Sequence, residues 1–220
     1  LYPEKPIYDL PAVPECTGQG LTDSLLQQIK PFDYNLNLNQ MVVEVYKDED
    51  GKFVVKTDEG NEFKAPAICI AAGGGSFMPK KPPITNISEY EDQSVFYAVR
   101  KRDKFKEKKL IIVGGGDSAL DWTINLQPIA KKITLIHRRN QFRAAPDSVA
   151  KMRKLEEERK IDFIQGQVSE LIGEEGKLEA VEVTRADKSK VNLGCDCLLP
   201  FFGLTMKLGP IANWGLNLER

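Results

Sequence analysis

The spacing of apolar and polar residues changes character along this chain, and each change predicts a different element. Residues 1–20 carry Pro, Gly and Tyr without a regular period, which predicts an ordered loop. Residues 21–29 read as a short helix, with Thr17 or Thr22 as the N-cap. From residue 41 the period becomes two. Residues 41–47, 53–57 and 62–72 alternate as strands, and Asp- and Gly-containing stretches at 48–51 and 58–60 join them into a meander. The last run, AICIAAGGG, is continuously apolar and ends in glycines, which predicts a buried strand whose tip meets a ligand or another backbone.

A proline-rich connector at residues 78–84 and a domain break near residues 86–92 precede a second pattern. Here strands and helices alternate, at 110–113, 117–126, 133–136 and 148–159, as expected of an α/β fold with a doubly wound parallel sheet. A second three-stranded meander follows at 167–173, 178–185 and 190–193, with turns at 174–176 and 186–188. CLLPFFG then predicts another buried strand, with Gly203 at its tip. Both halves share the order meander, apolar strand, terminal glycine. By that symmetry the loop of the first half that matches Gly114 is expected ahead of Leu1, so the chain reads as a fragment.

The chemistry-bearing motif is KLIIV-GGGDSA. Gly114-x-Gly116-x-x-Ala119 follows an apolar strand and opens an amphipathic helix, the context in which a dinucleotide fingerprint has meaning. Gly114, Gly115 and Gly116 permit the tight turn, Ala119 permits close helix packing, and the N–H groups of Gly116, Asp117 and Ser118 face an anion. The Asp117 carboxylate would repel a diphosphate, so its side chain is expected to cap the helix and face away. The bland alternative is a glycine turn before an ordinary helix.

At the end of the next strand, where an acidic residue would hold a ribose 2′-hydroxyl, the chain has HRRNQFR. Arg138, Arg139 and Arg143 put guanidinium groups there, and their planar forks suit phosphate oxygens. The dinucleotide is therefore read as NADP(H), with Gly203 beside it. His137 either lines the adenosine site or closes the strand.

Composition narrows the picture further. The chain has 220 residues, 41% of them hydrophobic, with a formal net charge of −1. That balance gives no overall field toward nucleic acid or an anionic membrane. No apolar run is long enough to span a bilayer and no secretory leader is recognisable, so the expected location is cytoplasmic. Cys195 and Cys197, two apart in an apolar run, are expected on one face of a strand as buried small hydrophobes; Cys-x-x-Cys spacing is absent. In residues 100–109 basic residues far outnumber Asp103 and Glu107, which makes either a solvated surface or a docking patch.

GGGDSALDW, HRRNQFRAAPDSV, AAGGGSF and LGPIANWGL together resemble the thioredoxin-reductase-like ferredoxin-NADP reductases, over essentially the whole chain. The resemblance implies a Rossmann-like NADP-binding domain at 90–205, a partial FAD-binding segment at 1–89, and the start of a return to that segment at 206–220. It implies FAD in the intact protein, one-electron delivery to ferredoxin or flavodoxin, and a homodimer. Candidate flavin contacts are Tyr2 and Asp9 beside the ring, Val42 near the adenine, and Ala72, Gly73 and Gly74 near the diphosphate. No cysteine occupies residues 94–100, where thioredoxin reductases carry their dithiol, so dithiol chemistry is not expected. The N-terminal FAD fingerprint and the closing Gly-Asp segment are also absent, so weak or no FAD binding and no turnover are expected of this chain alone. The other reading is a stand-alone NADP-binding module.

Overall fold

The structure, a computed structural model, describes residues 3–73 and 76–218. A short antiparallel pair, β1 (Pro6–Ile7) and β2 (Cys16–Thr17), leads into α1 (Gly18–Ile29). Thr17 caps that helix by accepting the Gly20 N–H at 3.0 Å, while the Thr22 hydroxyl donates to the Gly18 carbonyl within it. β3 (Val42–Lys47), β4 (Phe53–Thr57) and β5 (Glu62–Ala65) form the expected antiparallel meander. Asp48 closes its first turn by accepting the N–H groups of Asp50 and Lys52.

The predicted strand at 62–72 is cut short at Ala65. Residues 67–72 are not a strand, and Ile70 is 46% exposed. A strand exists only against a neighbour that completes its ladder, and among the described residues no strand pairs with this run. β6 (Ser76–Pro79) instead pairs with β13 (Leu204–Lys207) in a separate two-stranded ladder.

The larger sheet contains β7 (Lys109–Val113), β8 (Lys132–His137), β9 (Asp162–Glu174), β10 (Lys177–Arg185), β11 (Lys190–Gly194) and β12 (Cys197–Pro200), in the order β11-β10-β9-β8-β7-β12. β9, β8, β7 and β12 run parallel, and β9-β10-β11 is an antiparallel meander. β9 serves both parts. Its first residues pair with β8 and the remainder with β10, so it begins five residues ahead of the strand expected at 167–173.

α2 (Asp117–Leu126) and α3 (Pro146–Glu157) connect the parallel strands. Strand residues alternate between two cores, as the pleat requires. Leu110, Ile112, Ile133, Leu135 and Leu199 pack with Leu120, Trp122 and Met152 of the helices. Ile111, Val113, Ile136 and Leu198 face the other way, against Ile84, Ile87 and Tyr90 and the meander residues Val181 and Val183. Helices therefore cover one face of this sheet, and the meander with the 84–90 segment covers the other. Burial on both faces explains why these strands read as continuous apolar runs.

Cys197 joins the helix-side core and Cys195 the opposite one, so the expectation of a shared face fails. β11 ends at Gly194 and β12 starts at Cys197, and the break between them removes strict alternation. There the Asp196 carboxylate accepts the Lys109 N–H at 2.7 Å.

By contact density the chain divides into Leu1–Ile29 with Pro79–Gly203, and Lys30–Met78 with Leu204–Arg220. The division falls ahead of the break expected at 86–92 because Ile84, Ile87 and Tyr90 belong to the sheet's own core. Tyr90 Oη donates to the Gly173 carbonyl, and Ser94 Oγ to that of Gly176. The N-terminal segment joins the same unit through Lys5–Asp121 at 2.7 Å and Glu4 Oε2, which accepts the Arg102 N–H.

Candidate functional site

β12 lies on one side of β7 and β8 on the other, so the chain reverses its order of addition at β7. In open parallel sheets ligands bind at the carboxyl ends of the strands where the order reverses. Gly114 and Gly203 both emerge at that end, following strands whose register pairs Pro200 with Val113. The Phe201 N–H donates to the Val113 carbonyl at 2.7 Å.

The three glycines of the turn meet different surroundings. Gly114 has φ +153°, and a Cβ there would lie 2.7 Å from the Phe201 carbonyl oxygen and 2.8 Å from the Ala119 Cβ. Helix and strand thus approach too closely for any side chain at 114 or a larger one at 119. A Cβ at Gly115 would lie 2.3 Å from Nε2 of His137. Around Gly116, the N-cap of α2, nothing stands within 4 Å of a built Cβ, so that side of the turn is open. The first-turn N–H groups of Asp117 and Ser118 have no carbonyl a turn earlier within the helix.

Asp117 does not cap α2. Its Oδ1 accepts the Ala145 N–H at 2.8 Å and so holds the entrance of α3. The carboxylate does leave the turn as expected, drawn off by a peptide donor that lies 28 positions along the chain.

The loop after β8 is fastened to this turn. The Arg143 N–H donates to the Gly115 carbonyl at 2.7 Å, and the Gly114 N–H to that of Ile136 at 3.0 Å. Phe142 sits between His137 and Phe163, with ring centroids 5.4 and 5.5 Å away. Arg153 braces the far side: it pairs with Glu156 at 2.7 Å, lies over the Phe142 and Phe163 rings, and bonds to both Asn140 oxygens. No motif marks Arg153, and Phe201 lies in the CLLPFFG run, whose apolar pattern points to a strand but not to this contact. Arg138, Arg139 and Arg143 are all exposed, and among the described residues none forms an ion pair. Burial lowers the His137 pKa, a hydrogen bond to the Gln141 backbone opposes this, and the fields of Arg138, Arg139 and Arg143 lower it further.

The structure thus brings together Gly114, Gly115, Gly116, Asp117, Ser118, Ala119, His137, Arg138, Arg139, Arg143 and Gly203. The flavin candidates stand differently. Tyr2 and Gly74 lie outside the described residues. Asp9 is exposed. Val42 and Ala72 line an apolar cavity of about 800 Å³ within the smaller unit, with Met41, Ile68, Ile211 and Trp214 in its wall. The Trp214 indole N–H has no hydrogen-bond partner among the described residues. Gly73 takes φ +56° with nothing within 4 Å of a built Cβ. Among the described residues of this unit no strand runs through a glycine turn into a helix, so it offers no cradle for a diphosphate.

Among the described residues no group of His, Cys, Asp and Glu could hold a metal ion, and no helix is long and apolar enough to cross a membrane. Burial raises the Cys195 thiol to about 12 and that of Cys197 to about 11, so both behave as small hydrophobes.

Residues 4–219 match the family model described as pyridine nucleotide-disulphide oxidoreductase. The chain is 57% identical over 219 residues to a ferredoxin-NADP reductase of Nitrobacter hamburgensis and 59% identical to one of Parvibaculum lavamentivorans. In both cases all of this chain but 64% of the relative's length is covered. A thioredoxin reductase from T. acidophilum superimposes with a TM-score of 0.82 at 20% identity, over 98% of this chain and 68% of that one. The Lactococcus lactis thioredoxin reductase gives 0.80 at 21%, over 96% and 68%. At such identities these two structures speak to the fold alone.

Proposed function

The chain belongs to the pyridine nucleotide-disulphide oxidoreductase family, and from that premise we propose that it is the NADP(H)-binding part of a ferredoxin-NADP reductase whose intact form also carries FAD. The larger unit is read as a Rossmann-like domain. In this reading Gly114, Gly115 and Gly116, with the N–H groups of Asp117 and Ser118, receive the diphosphate, and Ala119 lets α2 come close enough to present them. Arg138, Arg139 and Arg143 receive the 2′-phosphate, and Gly203 flanks the dinucleotide from β12.

One observation carries the reading: the loop bearing three unpaired arginines is hydrogen-bonded to the glycine turn through Arg143 and Gly115. Its spacing from the diphosphate cradle is thereby fixed by the backbone. Guanidinium groups without acidic partners are poised for an anion, and each charge-assisted bond contributes roughly 1.5–3 kcal/mol.

The nicotinamide supplies the hydride when bound. This chain's residues bind and orient the dinucleotide, and no acid-base side chain is assigned. In the intact protein Val42 and Ala72 would supply an apolar wall for FAD, and no diphosphate cradle lies among the described residues of this unit.

For the acceptor, the ends of β7 and β8 opposite the glycine turn present Lys106, Lys108, Lys109, Lys131 and Lys132. The register pairs Lys109 with Lys132, which is itself held by Asp162 at 2.7 Å, and so sets Lys106, Lys108, Lys109 and Lys131, unpaired among the described residues, in one patch that suits a small acidic electron carrier such as ferredoxin.

Calorimetric titration with NADPH and NADH tests the cofactor assignment. A preference for NADPH that disappears in Arg138→Ala supports it. Equal affinities in the unmodified protein overturn it.

A further inference from the structure

His137 is the only histidine of the chain, and its ring fills the space directly behind the glycine turn. Its Nε2, Cε1 and Cδ2 atoms all lie within 2.6 Å of where a Gly115 Cβ would stand, and Phe142 packs against it from the loop. The charged groups that bear on the ring are Arg138, Arg139 and Arg143. Beside it in the sheet, β9 contributes uncharged Gln165 and β7 ends in Val113. On α2, the Asp117 carboxylate is engaged by the Ala145 N–H. Among the described residues no carboxylate is one of the groups that act on this ring. Burial and that positive field hold the imidazole below its usual range and therefore neutral at pH 7.

We propose that His137 is a specificity-determining residue that takes up a proton when a dinucleotide bearing a 2′-phosphate binds among Arg138, Arg139 and Arg143, and does not when the 2′-hydroxyl form binds. The inference rests on the reading that this cluster receives the 2′-phosphate. The step is one proton passing from solvent to the unprotonated ring nitrogen. A bound phosphate brings a charge of about −1.5 to −2 at neutral pH, which cancels much of the field that keeps the ring neutral. The imidazolium then adds to the positive field of the arginine cluster.

The linkage has a definite sign. Between the lower midpoint of the free protein and the higher midpoint of the complex, binding consumes a proton, so this contribution to NADP affinity grows as pH falls. NAD affinity gains nothing from it. The 2′-phosphate itself titrates near pH 6, so a bulk proton count would mix two groups, and the ring must be observed directly.

In the intact protein labelled with ¹³C at histidine Cε1, the His137 resonance is assigned by its loss in His137→Gln and followed against pH for the free protein, the NADP⁺ complex and the NAD⁺ complex. The ³¹P signal of the ligand is followed in parallel. We expect the midpoint in the NADP⁺ complex to rise by about one unit or more, and that in the NAD⁺ complex to stay within a few tenths of the free value. Should His137→Gln fail to fold, Arg143→Gln identifies the same resonance, because losing one cation raises its free midpoint and shrinks the NADP⁺-induced shift. Identical midpoints in the two complexes, with NADP⁺ still preferred, overturn the inference and leave the 2′-phosphate reading intact. Equal affinity for NADP⁺ and NAD⁺ overturns that reading, and the inference with it.

Discussion

The Arg143 N–H donates to the Gly115 carbonyl oxygen at 2.7 Å, so the peptide that turns the chain after β7 also anchors the loop after β8. The His137 ring stands where a side chain of the same glycine would be. Gly115 is thus a junction at which any added atom displaces something.

Gly115→Ala is expected to force His137 out of place, at a cost of about 1–3 kcal/mol, and to weaken NADPH binding at least tenfold. Gly116→Ala should leave the unfolding temperature nearly unchanged, because its surroundings are open, yet still weaken NADPH if the diphosphate approaches from that side. Thermal unfolding with and without NADPH separates the two effects. Gly116→Ala with undiminished affinity would move the ligand elsewhere.

Arg138→Ala should lower the ratio of NADPH to NADH affinity by roughly 10- to 100-fold, the equivalent of one charge-assisted phosphate contact. NADH affinity itself should change little. A uniform loss for both dinucleotides would instead point to a structural role for this side chain.

Removing the Asp117 carboxylate leaves the Ala145 N–H without its acceptor. Asp117→Ala is expected to cost about 1–2 kcal/mol and to speed amide exchange at the first turn of α3 more than within α2. Faster exchange confined to α2 would show that the side chain caps its own helix after all.

Cys195 and Cys197 should resist alkylation in the folded protein at pH 8, because burial raises both thiols well above that pH. Cys69, on the exposed run before Gly73, should react readily. Mass spectrometry of the protein alkylated before and after unfolding reads all of these positions.

In the full-length protein, Lys106→Glu with Lys108→Glu should slow ferredoxin reduction several-fold at low salt and flatten its ionic-strength dependence. Ferricyanide reduction by NADPH should be unaffected. An unaltered salt dependence would remove this patch as a docking surface.

Much of the larger unit was legible in the sequence because its signals are local. β7, α2 and β8 each announce themselves by periodicity, and the glycine and arginine positions follow from the turn each strand must make. Elements that depend on distant partners were not legible. Residues 67–72 have strand-like composition but no pairing strand among the described residues. β9 has two neighbours of opposite sense, one for each part of its length, and only the second part alternated visibly. Asp117 serves a helix 28 positions away rather than its own, and Cys195 and Cys197 part company because Asp196 turns aside to hold Lys109.

The unpaired run at 67–72 has a consequence for handling the protein. Apolar and partly exposed, it offers unpaired backbone of the kind on which foreign strands grow. A net charge of only −1 offers little repulsion between whole molecules to oppose pairing at that edge.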